Sequence, residues 1–175
     1  QEATDALNAF GEVYLKQTLA SGVIPQITAI FGTCGGGAAL IPTLTDFTFM
    51  TAEGGKLFVN SPNALDGNYQ AKLDTASAAY LSENSSLVDG VFEDDATTLA
   101  NIRSLVDMLP DNNMEDAESD CTDDLNRIIP NLDGFAKDAR AVLQNIADNN
   151  VFVEVKKDYA KDMVLGLIKL NGATV

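Results

Sequence analysis

Histidine is absent from this 175-residue chain. Its absence removes the usual general base, the serine and cysteine triads and most transition-metal sites at once. Cations are scarce as well: 11 Lys and Arg stand against 26 Asp and Glu, a formal charge of −15 and a pI near 4.1. A surface of that sign repels a phosphate backbone and an anionic lipid face, which excludes a nucleic-acid binder and direct membrane contact. The two cysteines, Cys34 and Cys121, lie too far apart for a secreted disulfide framework, so we expect reduced thiols and a cytoplasmic location. No apolar run approaches the ~20 residues of a membrane span.

Enough apolar sequence is present for a core. Hydrophobic residues are 46% of the chain and charged residues 21%, the balance of a globular protein of about one domain. The ends read as those of a piece of something longer: Gln1 leads almost directly into a helical pattern, and residues 171–175 read as half a hairpin.

Between Ala3 and Ala20, apolar residues at Ala3, Ala6, Leu7, Phe10, Val13, Tyr14 and Leu19 predict an amphipathic helix that Gly22 stops. Val23 to Phe31 reads as a buried strand. Gly32 to Gly37 reads as a glycine turn, and Ala38 to Ile41 as a short helix that Pro42 interrupts. Strands are predicted at Thr45–Met50 and Lys56–Asn60, a helix start at Pro62-Asn63, a small helix at Asp74–Leu81 and a strand at Leu87–Phe92. Glu93 to Leu109 predicts a helix with Leu99, Ile102, Leu105, Val106 and Leu109 on one face and acids at its positive end.

Residues 111–124 hold seven acids and no Lys or Arg, the composition of a solvated linker. A calcium loop counted from Asp111 would need Gly and Glu where Asp116 and Thr122 stand, so no EF-hand is read. Helices are expected at Asp123–Ile129 and Phe135–Ile146, strands at Val151–Val155 and Met163–Leu170, and a hairpin turn at Asn171-Gly172. Three units result: residues 1–110, a linker with connecting helices at 111–150, and a new β-rich unit at 151–175.

The strongest chemical signal is Gly35-Gly36-Gly37, at a strand exit where a helix begins. Glycines let a backbone approach a ligand, and the first N–H groups of a helix have no internal acceptor. Aimed at a developing oxyanion in a dry site, each such donor contributes roughly 3 kcal/mol, with no titrating side chain involved. The same glycines also suit a tight turn or a phosphate site, and spacing alone leaves these open. Cys34 has no base or cation beside it in sequence, so it reads as a small packing residue rather than a nucleophile.

Residues 21–50, Ser-Gly-Val-Ile-Pro-Gln-Ile-Thr-Ala-Ile-Phe-Gly-Thr-Cys-Gly-Gly-Gly-Ala-Ala-Leu-Ile-Pro-Thr-Leu-Thr-Asp-Phe-Thr-Phe-Met, closely resemble the carboxyltransferase subunits of biotin-dependent acyl-CoA carboxylases and decarboxylases. The resemblance resumes at Leu57–Asn63, at Phe92–Asp95, at Phe152–Ala160, and at Gly166 and Asn171-Gly172. It implies an α/β fold, a fragment of the crotonase-like ββα spiral. Residues 1–110 would be the second half of an N-terminal carboxyltransferase domain and 151–175 the start of a C-terminal one. It further implies an active site shared between subunits of a homo-oligomer, biotin on a partner biotin carboxyl carrier protein, and acyl-CoA as substrate.

In the family the segment matching Cys34, Gly35, Gly36, Gly37 and Ala38 supplies amides to the thioester oxygen. Gly36 and Gly37 are the implied oxyanion donors, with Cys34, Gly35, Ala38, Asn60, Ser61 and Pro62 at the substrate. The implied chemistry needs no protein base, since the cofactor itself takes the α-proton and the thioester enolate then attacks CO2. Gly35 departs from a commoner Ala, and Leu40-Ile41 from a Tyr-Ser pair, at positions bearing on the acyl pocket. Two other readings fit a glycine turn: a crotonase-type enoyl-CoA hydratase or isomerase, which would want paired acids near the thioester, and a non-catalytic CoA-binding assembly subunit.

Overall fold

The computed structural model describes residues 2–64, 66–135 and 137–175. Helix α1 (Glu2–Ala20) ends in a turn through Gly22, at φ +72°, and leads to β1 (Ile27–Ile30) and β2 (Thr33–Gly35). Two short 3-10 turns, Gly36–Leu40 and Pro42–Leu44, connect to β3 (Phe47–Thr51) and β4 (Lys56–Phe58). Next come α2 (Asp66–Ala71), α3 (Ala78–Asn84), β5 (Gly90–Phe92) and α4 (Asp95–Val106). The chain finishes with α5 (Leu132–Phe135), α6 (Ala139–Ile146), β6 (Phe152–Val155), β7 (Leu165–Leu170) and β8 (Ala173–Thr174).

Successive strands alternate between two parallel sheets. β1, β3 and β5 form one, in register Ile27 to Phe47 and Phe49 to Gly90, while β2 and β4 form the other, Thr33 to Lys56. Each passage from strand to strand therefore winds once around the core, a spiral of ββα type. Ile30, Ala39, Met50, Leu57, Ala78 and Val88 fill that core, with Cys34 packed against it. β3 is buried on both faces, as expected of a central parallel strand. Its polar members are satisfied: the Thr48 amide donates to Asp89 Oδ2 at 2.7 Å and the Thr48 hydroxyl to the Pro42 carbonyl at 3.2 Å.

The antiparallel sheet β6-β7-β8 is tied to this body by a half-buried lysine paired with a buried aspartate. Lys156 Nζ lies 2.7 Å from Asp89 Oδ1, and the Lys156 amide donates to the Asp89 carbonyl at 2.7 Å. The Asn171-Gly172 turn forms as predicted, with both residues at positive φ. Asp148 catches it, accepting from the amides of Asn171 at 3.0 Å and Gly172 at 2.7 Å. Burial alone would raise the Asp148 carboxyl. Those two amides, the Cys121 thiol and Arg127 together hold it below the usual carboxylate range.

Several expectations shift. The strand read from Val23 begins only at Ile27, because the end of α1 wraps its Ala20 carbonyl around the amides of Val23 and Ile24, and Pro25 has no N–H to pair. The small helix read at Asp74–Leu81 lies at Ala78–Asn84, behind the Ser77 cap that accepts from the Tyr80 amide. No helix forms at Asp123–Ile129; there Arg127 donates to the carbonyls of Asn145 and Ala147 and pairs with Asp123, so long-range bonds take the place of helical ones. On α4 only Leu105 of the predicted face is fully buried, beside Thr98, while Leu99 and Val106 are exposed. The acidic stretch is mostly exposed but anchored, Asn113 donating to Val23 and Ser119 to Gly172.

Candidate functional site

Residues 32–37 prove to be more than a turn. Thr33, Cys34 and Gly35 form β2, in register with Lys56, Leu57 and Phe58, and the chain leaves that strand at Gly36 with φ +61°. Glycine holds that left-handed conformation at the least cost. Gly36 opens the 3-10 turn, whose N-terminus has no side-chain cap. The β2–β4 ladder, in which the Lys56 amide donates to the Gly32 carbonyl and Gly35 pairs with Phe58, turns the Gly36 N–H toward the Phe58 carbonyl, so Gly36 is not the free donor expected of it. Gly37 comes next, exposed and within the first turn of the 3-10 segment, where an N–H has no acceptor inside the turn.

The three glycines serve different ends. A Cβ on Gly35 would meet the Phe58 ring at 2.9 Å, so this glycine lets β4 pack. At Gly36 a Cβ would meet nothing within 4 Å, which leaves room there for a ligand. At Gly37 it would meet the Phe10 ring and the Tyr14 hydroxyl, both at 3.3 Å, and that hydroxyl donates to the Gly37 carbonyl at 2.6 Å. Helix α1 thus backs the turn.

A cavity of about 240 Å³ flanks it, lined by residues 28–34 with Ala38, Ile41 and Pro42. It falls below the roughly 300–1,000 Å³ typical of drug-sized ligands, so it suits a small group. No Asp, Glu, Lys or Arg lines it, and any charge developing there meets backbone dipoles rather than side-chain charges. Burial pushes the Cys34 thiol up, which keeps it neutral and agrees with a packing role.

Of the residues expected from sequence, Cys34 and Ala38 line this cavity and Gly35, Gly36 and Gly37 form the turn between them. Pro62 does not join them. It lines a larger cavity of about 740 Å³, with Lys56, Phe58, Asn68, Tyr69 and Lys72, while Asn60 and Ser61 are exposed beside it and line neither cavity. Phe58 connects the two regions, packing on Gly35 and walling the larger cavity. Phe10, Tyr14 and Phe58 were not singled out by sequence as site residues. Tyr14 lies 23 residues from Gly37, and no local pattern signals that contact.

Alternating parallel sheets wound around one core, with a glycine turn at a strand exit, define a crotonase-like α/β unit. The chain matches the carboxyl transferase domain model over residues 1–175 and belongs to that family. It is 37% identical over 186 residues to the propionyl-CoA carboxylase beta chain of Roseobacter denitrificans, covering 100% of this chain and 36% of that protein. To the methylmalonyl-CoA decarboxylase subunit alpha of Propionigenium modestum it is 34% identical, with the same coverage. A solved structure of transcarboxylase 12S, a hexamer with hydrolysed methylmalonyl-coenzyme A bound, superposes with a TM-score of 0.84 at 30% identity, again over 100% of this chain and 36% of that one. The chain therefore spans about a third of the length of the curated relatives it matches.

Proposed function

We propose that the full-length protein moves a carboxyl group between biotin and a short acyl-CoA, through a thioester enolate whose oxygen is held at the glycine turn by the amide of Gly37, with Gly36 leaving it room. One observation carries this reading: an exposed glycine N–H at the start of a 3-10 turn, just past the end of a strand, beside a small cavity that no charged side chain lines among the described residues. A thioester oxygen docked there meets a donor already in place, so charge developing on it is stabilised without reorganisation. Cys34 and Ala38 would flank the acyl group, and Gly35 would keep β2 and β4 in register. Asn60, Ser61 and Pro62, on the far side of Phe58, would meet the remainder of the substrate.

Biotin supplies the carboxyl group when bound, delivered by a carrier protein. Its cradle, in this reading, is the glycine pair of the second carboxyltransferase domain, of which residues 151–175 are the opening. The unit boundaries 1–110, 111–150 and 151–175 go with this reading, in which the antiparallel sheet opens the second carboxyltransferase domain. Homo-oligomerisation goes with it too: Leu7, Leu19, Met114 and Ile128 are each at least 70% exposed, more apolar surface than a finished face leaves bare. Among the described residues no helix is long and apolar enough to cross a membrane, which suits the cytoplasmic location proposed here.

The hydratase or isomerase reading needs paired carboxylates at the thioester, and the cavity beside the turn has none. Supplying the full-length protein with carboxybiotin and short acyl-CoAs tests the proposal, with enoyl-CoA hydration run in parallel. Transfer to at least one acyl-CoA is expected. Hydration without biotin would overturn it in favour of the hydratase, and tight CoA binding with neither reaction would favour a non-catalytic assembly subunit.

A further inference from the structure

We infer that Lys72 is a specificity-determining residue: in the larger cavity, on the far side of Phe58, it is the cation that meets a carboxylate carried on the acyl chain. The inference rests on the function proposed above and deepens it, since that function does not say where the acyl carboxylate lies.

Carboxyl transfer to or from an acyl-CoA makes or consumes a carboxylate on the acyl chain, so one member of each substrate–product pair carries a charge that the other lacks. The small cavity beside the turn has no Lys or Arg among its lining residues. A carboxylate pressed into it would be buried without a partner, at a high cost in free energy. The chain as a whole, at a formal charge of −15, repels an anion as well. A carboxylated acyl chain therefore needs a local cation outside the small cavity.

The cavity of about 740 Å³ holds one. Phe58 joins it to the glycine turn, since this residue pairs with Gly35 in the β2–β4 ladder, lays its ring against Gly35 and walls the larger cavity. Lys56 and Lys72 line that cavity against a single acid, Asp74. Lys56 and Asp74 are bonded to each other and offset one another's charge. Lys72 directly follows α2, at a left-handed φ of +53°, and its ammonium has no ion-pair partner among the described residues. It is the charge in the cavity that nothing offsets. Asn63 and Tyr69 line the same space and add neutral donors, so a carboxylate placed there finds both a cation and hydrogen bonds. Because Lys72 is exposed, its effect on binding is modest and screened by salt.

The test uses the full-length protein and two unreactive thioethers of coenzyme A, carboxyethyl and propyl, which match in length and differ in the carboxylate. Lys72→Gln should lower the binding preference for the carboxyethyl thioether by about three- to fivefold at low salt, entirely through weaker binding of that ligand. In turnover, KM for the carboxylated acyl-CoA should rise by the same factor with kcat within twofold. Lys72→Arg should keep the wild-type preference. Lys16→Gln, which removes an exposed charge from α1, should also leave it unchanged. Melting temperature and oligomeric state should stay as in wild type throughout. An unchanged preference in Lys72→Gln would overturn the inference. So would equal weakening of both thioethers, which would put the lysine at a phosphate of the coenzyme, and so would loss of assembly, which would make it structural. Wild-type protein that binds neither thioether and transfers no carboxyl group would instead bring down the functional proposal itself.

Discussion

Replacing Gly36 by alanine separates site from scaffold more cleanly than any other single change. The added methyl meets nothing within 4 Å, so no steric push on the core accompanies it. What it meets is conformational: φ is +61°, and an L-residue with a Cβ held in that region costs roughly 1–2 kcal/mol. Against this strain stand the strand pairing of Gly35 and the bond from Tyr14 to Gly37, each contributing about 1 kcal/mol. Strain and anchors are comparable, so the peptide after Gly36 spends much of its time rotated, with the Gly37 amide it carries off its mark.

Loss of one oxyanion donor costs about 10²–10³ in kcat, which sets the ceiling; a partly displaced turn predicts a loss between tenfold and that limit. The assay is carboxyl transfer by the full-length protein, with melting temperature and oligomeric state measured alongside. Gly11→Ala is the control: it lies within α1 with open space around it, and should leave transfer unchanged while stabilising the helix by about 0.5–1 kcal/mol. Gly37 is a poorer probe, because its methyl would press on Phe10 and Tyr14 and mix fold with function. Transfer by Gly36→Ala within threefold of wild type would refute the reasoning.

Two further outcomes follow from other parts of the molecule. Ile41 lines the small cavity, so Ile41→Ala should shift preference toward acyl-CoAs one or two carbons longer by about tenfold in relative kcat/KM, and an unchanged ratio would remove Ile41 from the acyl pocket. Asp148, held below the usual carboxylate range, contributes stability that is present above about pH 4 and lost as pH falls through its lowered value; Asp148→Asn should cost about 1–3 kcal/mol near neutrality and flatten the acid limb of a stability-against-pH curve, and an acid limb identical to wild type would contradict this.

The features legible in sequence were those set by local chemistry. Helix α1, the aromatic strand read at Thr45–Met50 and found at Phe47–Thr51, the start of α4 among the acids Glu93–Asp95 and the Asn171-Gly172 turn form where propensity and turn stereochemistry place them, although no residue of α1 is buried. The spiral itself was implied only by resemblance, since the separation of odd from even strands into two sheets depends on pairings 20 or more residues apart. For the same reason β2 was hidden: three residues ending in glycine become a strand only when Lys56–Phe58 lies alongside. The glycine turn was visible as a motif, but which glycine faces open space and which backs onto a helix is fixed by Phe58, Phe10 and Tyr14, all distant in sequence. At Asp123–Ile129 helical sequence lost to tertiary bonds made by Arg127.

The central claim, that a backbone amide at this strand exit holds a thioester oxygen, is tested most directly by a crystal structure of the full-length protein with a non-reactive acyl-CoA analogue. The account predicts the thioester oxygen about 2.7–3.1 Å from the nitrogen of Gly37, with the acyl group against Cys34, Ala38 and Ile41. An oxygen bound elsewhere, with that nitrogen still facing solvent, would contradict it.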